Sequence, residues 1–207
     1  MKVGDSVRHA IEEWQRGSFE AAMLHACNAV DGTARKMFPG LGNKHRFTRL
    51  LRESYGILGP MSFAGLNLVD TRFPVAVPRP TTQDGKPDIA DVIYGIHRCT
   101  HGHGDELPEG FDLIPNAGTS PDYTRLELNK HGHFRMSDRT IFGLLAVAVL
   151  SPANVGQSSP GCFLTWGTHG MVIDEWWGRA NDFLALVAAG PPMPYVTLDT
   201  SEWMKRP

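Results

Sequence analysis

Asp88-Ile89-Ala90-Asp91-Val92-Ile93-Tyr94-Gly95-Ile96-His97-Arg98-Cys99-Thr100-His101-Gly102-His103 is the stretch that decides how this chain folds and where its chemistry lies. Asp88 follows Pro87, and an aspartate there can cap a helix. Ile89, Val92, Ile93 and Ile96 recur at three- and four-residue steps and make one buried seam. At about 100° per residue, Arg98 falls opposite that seam, on the face of Asp91 and Tyr94. It is therefore expected to face water, a cleft or a second subunit. His101 points in an adjacent direction, and Gly102 and Gly104 are expected to end the helix.

Upstream, helical periodicity continues. Asp5 or Ser6 caps a first short helix ending near Arg16-Gly17. Ser18 caps a second, whose Phe19, Met23, Ala26, Cys27, Val30, Ala34 and Met37 form one apolar stripe up to Pro39-Gly40. Asn43 caps a third, with Phe47, Leu50, Leu51 and Tyr55 inward and its arginines outward. Between Gly59 and Pro87 the period is lost among five prolines, which predicts a long irregular loop.

Downstream, Tyr123 to Leu128 alternates, Asn129 to Gly132 can turn, and His133 to Met136 can return, which predicts a hairpin. Ser137 or Asp138 caps a helix from Arg139 to Leu150 that is apolar on most sides. Phe163 to Trp166 and Met171 to Ile173 predict a second hairpin around Gly167 to Gly170. Asp174 caps a last helix with Trp176, Ala180, Phe183, Leu184 and Val187 inward, and the tail from Pro191 is extended. The fold class is mainly α (α+β), a helical bundle with small β-hairpin insertions in the C-terminal half. One domain spans 1–207: a bundle core at 1–103, a hairpin insertion at 104–136, closing helices with the second hairpin at 137–190, and an extension at 191–207.

The 207 residues are 42% hydrophobic and 20% charged, which fits one sizeable core and neither disorder nor a membrane span. The longest apolar run, Ile141 to Leu150, is too short for a bilayer. The N-terminus has no signal-peptide core, so a cytoplasmic location is expected. Three scattered cysteines with no CxxC favour neither a disulfide framework nor a zinc ribbon. The net charge of −2 excludes a uniformly basic surface. A local basic window nevertheless holds Arg35, Lys36, Lys44, Arg46, Arg49 and Arg52. It is either the solvated face of a helix or, at Arg35, Lys36, Lys44, Arg46 and Arg49, an RNA-binding patch.

Two residues stand out chemically. Arg98 carries a planar fork of donors suited to a phosphate. His103 carries an imidazole that moves a proton near neutral pH. Together they suffice to cut a phosphodiester without a metal.

A helical bundle with R-x4-H on a late helix resembles the HEPN superfamily (higher eukaryote and prokaryote nucleotide-binding domains). The resemblance rests on Arg98 and His103 with the Ile89 to Tyr94 helix before them. It rests also on the long early helix Phe19-Glu20-Ala21-Ala22-Met23-Leu24-His25-Ala26-Cys27-Asn28-Ala29-Val30-Asp31. It covers Met1 to about His103 plus one or both later helices. The family often has a polar residue directly after the arginine, where this chain has Cys99. The resemblance implies a HEPN-type bundle that acts as an endoribonuclease without cofactor, in a toxin–antitoxin, phage-defence or RNA-processing setting. The implied partners are RNA, a second copy of the chain and an antitoxin, and no membrane. It implies catalytic roles for Arg98 and His103, with Thr100, His101, Asp91 and Tyr94 in support. Some such domains bind without cutting.

Other readings stay open. Arg98 can tie a helix end by pairing with Asp91 or Asp105, and His103 can be an exposed turn residue. Thr100 to Asp105 also resembles the T-H-x-H-x-D-H signature of the metallo-β-lactamase superfamily, with His101, His103 and Asp105 as zinc ligands and Glu106 where a last histidine belongs. His131 and His133 could join such a set. His25, His45 and His169 read as helix or turn residues. Trp166, Trp176 and Trp177 read as core or as an interface.

Overall fold

The stripe on the second helix organises the interior. In the computed structural model, which describes residues 2–103, 106–116, 124–192 and 194–204, and only the backbone of His101, His103, Ser201 and Met204, that helix is α2 (Phe19–Met37). It packs against α1 (Val3–Gln15), α3 (Asn43–Glu53) and α7 (Arg139–Leu150). Met23, Ala26, Cys27, Val30 and Ala34 are buried as the period requires, with Phe19 and Met37 at the margins. In α7 every residue except Arg139 and Phe142 is buried, so it runs through the centre of one contiguous core. The architecture is mainly α with two small antiparallel hairpins.

The first helix begins at Val3, earlier than the sequence suggests. Asp5 lies inside its first turn, where its carboxylate accepts from the Lys2 backbone N–H at 3.2 Å. Where α1 crosses α2, the rings of His9 and His25 lie 5.3 Å apart, and His25 Nδ1 is buried without a hydrogen-bond partner among the described residues. Burial, then the neighbouring His9, hold the His25 pKa below its usual 6.5, against Glu12 and Glu13. Above about pH 6.5 the ring is neutral both folded and unfolded, so no stability is lost there. Below it the unfolded chain takes the proton first, so stability falls as pH drops toward the depressed folded value. His25→Leu removes this dependence. Urea unfolding at pH 7.5 and 5.5 is expected to show the wild type losing ground to the variant at the lower pH. A difference independent of pH would contradict the assignment.

One helix lies inside the expected irregular loop. α4 (Tyr55–Ser62) contains Pro60, which cannot donate to the preceding turn. Burial of Ile57, Leu58, Pro60 and Met61 outweighs that local penalty. α4 packs on α7 at Gly143, where a Cβ would collide with Ser62 Oγ and lie 3.0 Å from Leu58 Cδ1. Gly143→Val is therefore expected to destabilise the protein by about 1–3 kcal/mol, read from denaturant midpoints. An unchanged midpoint would mean the two helices are not in close contact.

The late helix is continuous through three segments: α5 (Ile89–Val92), a π-helical Ile93–Arg98, and α6 (Cys99–His103). Asp88 caps it, accepting from Asp91 N–H, and Ile89, Val92, Ile93 and Ile96 are buried. Gly102 does not end it. A π turn advances each residue by less than an α turn does, so an α-helical count misplaces every residue beyond it. Arg98 is accordingly turned against α2 rather than opposite the isoleucine seam.

Both hairpins form where alternation predicts. β1 (Leu126–Leu128) pairs with β2 (Phe134–Met136), and β3 (Phe163–Trp166) with β4 (His169–Val172). The expected last helix is two. α8 (Ile173–Trp176) and α9 (Ala180–Ala189) are separated at Gly178, whose φ of +82° suits glycine. Leu184 is 40% exposed rather than inward, whereas Phe183 and Trp177 are buried. The tail bridges Leu66 through Val196 and carries α10 (Ser201–Met204). Among the described residues no helix is long and apolar enough to cross a membrane.

Candidate functional site

Arg98 is not a free surface cation. Its Nη2 donates to Asp31 Oδ2 of α2 at 3.3 Å, and its side chain is 21% exposed. Arg46 of α3 donates to the other oxygen, Oδ1, through Nε at 3.3 Å and Nη2 at 3.1 Å. Two guanidiniums thus share one carboxylate, and the cluster keeps net positive charge. Arg98 Nε is buried with no acceptor among the described residues. The guanidinium lies back over Gly102, one turn on, where any Cβ would collide with Nη1. A side chain at 102 would require this flexible end of Arg98 to move.

Reasoning from the sequence does not single out Asp31. Its local signal is an acid four residues after Cys27, at the edge of an otherwise apolar stripe. Cys27 is itself fully buried, and burial pushes its thiol up to about 12, so it is no nucleophile.

Tyr94 precedes Arg98 on the same helix. Its ring meets Phe47 edge-on, with centroids 5.4 Å apart, and Lys44 Nζ stands 5.9 Å from the ring centre. Burial raises the phenol pKa, Cys99 and Asp31 add to the rise, and Arg98 opposes it.

Asp91 does not share a solvent face with Arg98. It is fully buried and accepts from Thr81 N–H and Thr81 Oγ1 and from Arg52 Nη2. Arg52 also forks onto Asp88, at 2.7 and 2.9 Å, and Asp88 accepts from Tyr55 Oη at 2.7 Å. Burial opposes the charge on Asp88, but the Arg52 hydrogen bond and charge hold its carboxyl below the ordinary value. The role this network supports for Asp91 is anchoring the proline-rich segment.

The basic window is not a uniform solvated face. Arg46 is buried in the Asp31 cluster, which corrects its expected outward direction. Arg49 pairs with Glu53 and lies over the Phe38 ring. Lys36 donates to Asn154 Oδ1, and Lys44 to the carbonyls of Pro78 and Arg79. Arg35 is exposed.

Thr100 is half-buried on α6. The backbone is helical at His101 and His103, and their side chains lie outside the described residues, as does Asp105 entirely. Positions two apart on an α-helix are separated by about 200° around the axis, which is not the strand end that the zinc alternative needs. Among the described residues no three histidine, cysteine, aspartate or glutamate side chains are grouped so as to hold a metal ion. His131 and His133 flank the β1–β2 turn, where Asn129 Oδ1 accepts from both backbones. Trp177 is core, and Trp166 and Trp176 pack partly buried against it.

No solved structure matches the chain. Mycobacterial proteins do, among them two that are each 43% identical over 188 residues covering 90% of this chain and 88% of the relative. These two are the uncharacterized proteins Rv1289 of Mycobacterium tuberculosis and Mb1320 of Mycobacterium bovis. The Rv1289 family profile matches residues 2–204, and the chain belongs to that family.

Proposed function

We propose that this protein is a HEPN-type, metal-independent endoribonuclease whose working groups are Arg98 and His103. The observation that carries the reading is the Asp31 cluster. It holds the Arg98 guanidinium part-exposed and net positive at the foot of a helix that continues unbroken to His103. In this reading a carboxylate shared by two cations orients Arg98 without neutralising it.

The RNA 2′-hydroxyl attacks the adjacent phosphorus. His103 takes that proton or delivers one to the departing 5′-oxygen. Arg98 binds the phosphate and stabilises the charge that grows on its oxygens. Thr100 and His101 lie on the same last turn as supporting donors, Tyr94 lines the approach, and Asp91 acts at a distance by fixing the loop. The substrate is a splayed single strand or loop, because side chains do not reach into the deep A-form groove. A second copy of the chain across a twofold axis brings two such sets together. The setting is a cytoplasmic toxin–antitoxin or defence system.

The test is incubation of a mixed RNA pool with the protein in EDTA, followed by analysis of the new ends. The expected products carry 2′,3′-cyclic phosphates and 5′-hydroxyls. One observation favours a second reading, a HEPN-like module that binds without cutting: Arg98 already spends Nη2 on Asp31. Retention of RNA with no new ends would establish that reading instead. Neither retention nor cleavage would overturn both.

A further inference from the structure

Arg79 has a backbone that the fold forces and a side chain that the fold does not use. Its φ of +49° is the one positive value at a non-glycine among the described residues. The segment is clamped on both sides. Lys44 Nζ donates to the carbonyls of Pro78 and Arg79, each at 2.6 Å. Two residues on, Thr81 donates through N–H and Oγ1 to the buried Asp91, and its Oγ1 also accepts from Arg52 Nη1 at 2.8 Å. Yet the Arg79 side chain is exposed and makes no hydrogen bond or ion pair among the described residues. Backbone strain maintained around an unused cation suggests that the cation works on something outside the fold.

The clamp also fixes where Arg79 stands. The ammonium that holds its carbonyl is the one 5.9 Å from the Tyr94 ring centre, and Tyr94 precedes Arg98 on the same helix. Lys44 thus ties the segment that carries Arg79 to the helix that carries Tyr94 and, one turn on, Arg98.

We infer that Arg79 is a substrate-positioning residue that binds a phosphate of single-stranded RNA next to the one held at Arg98, so that the strand runs across Tyr94. The inference rests on the RNA reading and deepens it. A cation on a backbone phosphate contributes affinity without reading sequence. Each such contact on a single strand adds about 0.7 to the salt slope of log binding constant against log salt.

The experiment compares wild type, Arg79→Gly and Arg79→Lys. Glycine accepts the positive φ, so it removes the side chain without adding strain. Lysine keeps the charge. Binding of a labelled unstructured RNA is measured across a salt series, and cleavage kinetics are measured beside it. Arg79→Gly is expected to bind about tenfold more weakly, with the salt slope reduced by about 0.7, KM raised and kcat unchanged. Arg79→Lys restores most of the slope. Equal affinity and slope in all three proteins would overturn the inference while leaving the cleavage reading standing. A lowered slope in Arg79→Gly with no cleavage by the wild type would do the reverse. A wild type that binds no RNA would overturn both.

Discussion

Arg98→Ala is expected to slow RNA cleavage about 100- to 1,000-fold and to leave the protein folded. In the proposed mechanism the guanidinium binds the charge that develops on the phosphate oxygens, and losing one such donor commonly costs that much. The fold survives because Asp31 keeps Arg46, its more buried partner, on the other oxygen. Arg98→Lys retains the charge but not the planar fork, so it recovers only part of the rate. Stopped-time cleavage of one RNA in EDTA, with circular dichroism on each variant, checks both halves. A variant that unfolds, or that cuts at the wild-type rate, would place Arg98 among the structural ion pairs.

The largest stability effect is expected at Asp88. Asp88→Ala removes a helix cap, the acceptor of the partly buried Tyr55 hydroxyl and the carboxylate that takes two donors of Arg52. Cap loss costs about 1 kcal/mol. A hydroxyl that loses its acceptor costs about 1–3 kcal/mol when buried, and the partly buried Tyr55 falls at the lower end. With the broken ion pair, the expected loss is about 3–5 kcal/mol. For a chain of this size that lowers Tm by roughly 6–20 °C. Asp88→Asn keeps a capping oxygen and is expected to lose less. The same carboxylate gives the wild type an acid limit. Its folded pKa is depressed, so its contribution is complete above the unfolded value and is lost as pH falls through the folded one. Thermal melts of the three proteins at neutral pH measure the effect, and a shift of under 2 °C for Asp88→Ala would mean the network contributes little.

What the sequence discloses here is what short-range periodicity encodes. The stripe of α2, the isoleucine seam from Ile89 to Ile96, the apolar girth of α7, both hairpins and the Asp88 cap are all local patterns, and all are present. What it conceals arises between distant segments. The π turn at Ile93–Arg98 rotates Arg98 toward a carboxylate 67 residues earlier in the chain. Arg46 looks like one cation in a surface row until Asp31 draws it inside. Asp91 looks exposed until Thr81 is brought over it by a loop without period. Pro60 argues locally against a helix that burial then sustains, and Gly178 divides a segment that hydrophobic spacing would join. Of the candidate site, the place of Arg98 at a helix end was legible and its holder was not. Asp31 carried only the faint signal of an acid beside an apolar stripe, and Arg79 no signal, because its distinction is a backbone angle.

In the proposed reaction Arg98 and His103 act as one catalytic unit on a phosphodiester. Single-turnover cleavage of one RNA in EDTA by wild type, Arg98→Ala, His103→Ala and the double variant tests it most directly. Both single variants should be slower by at least about 100-fold, and the double no slower than the poorer single, because groups that act as a unit are lost together. Cleavage that continues undiminished in both single variants would show that neither group takes part in the reaction.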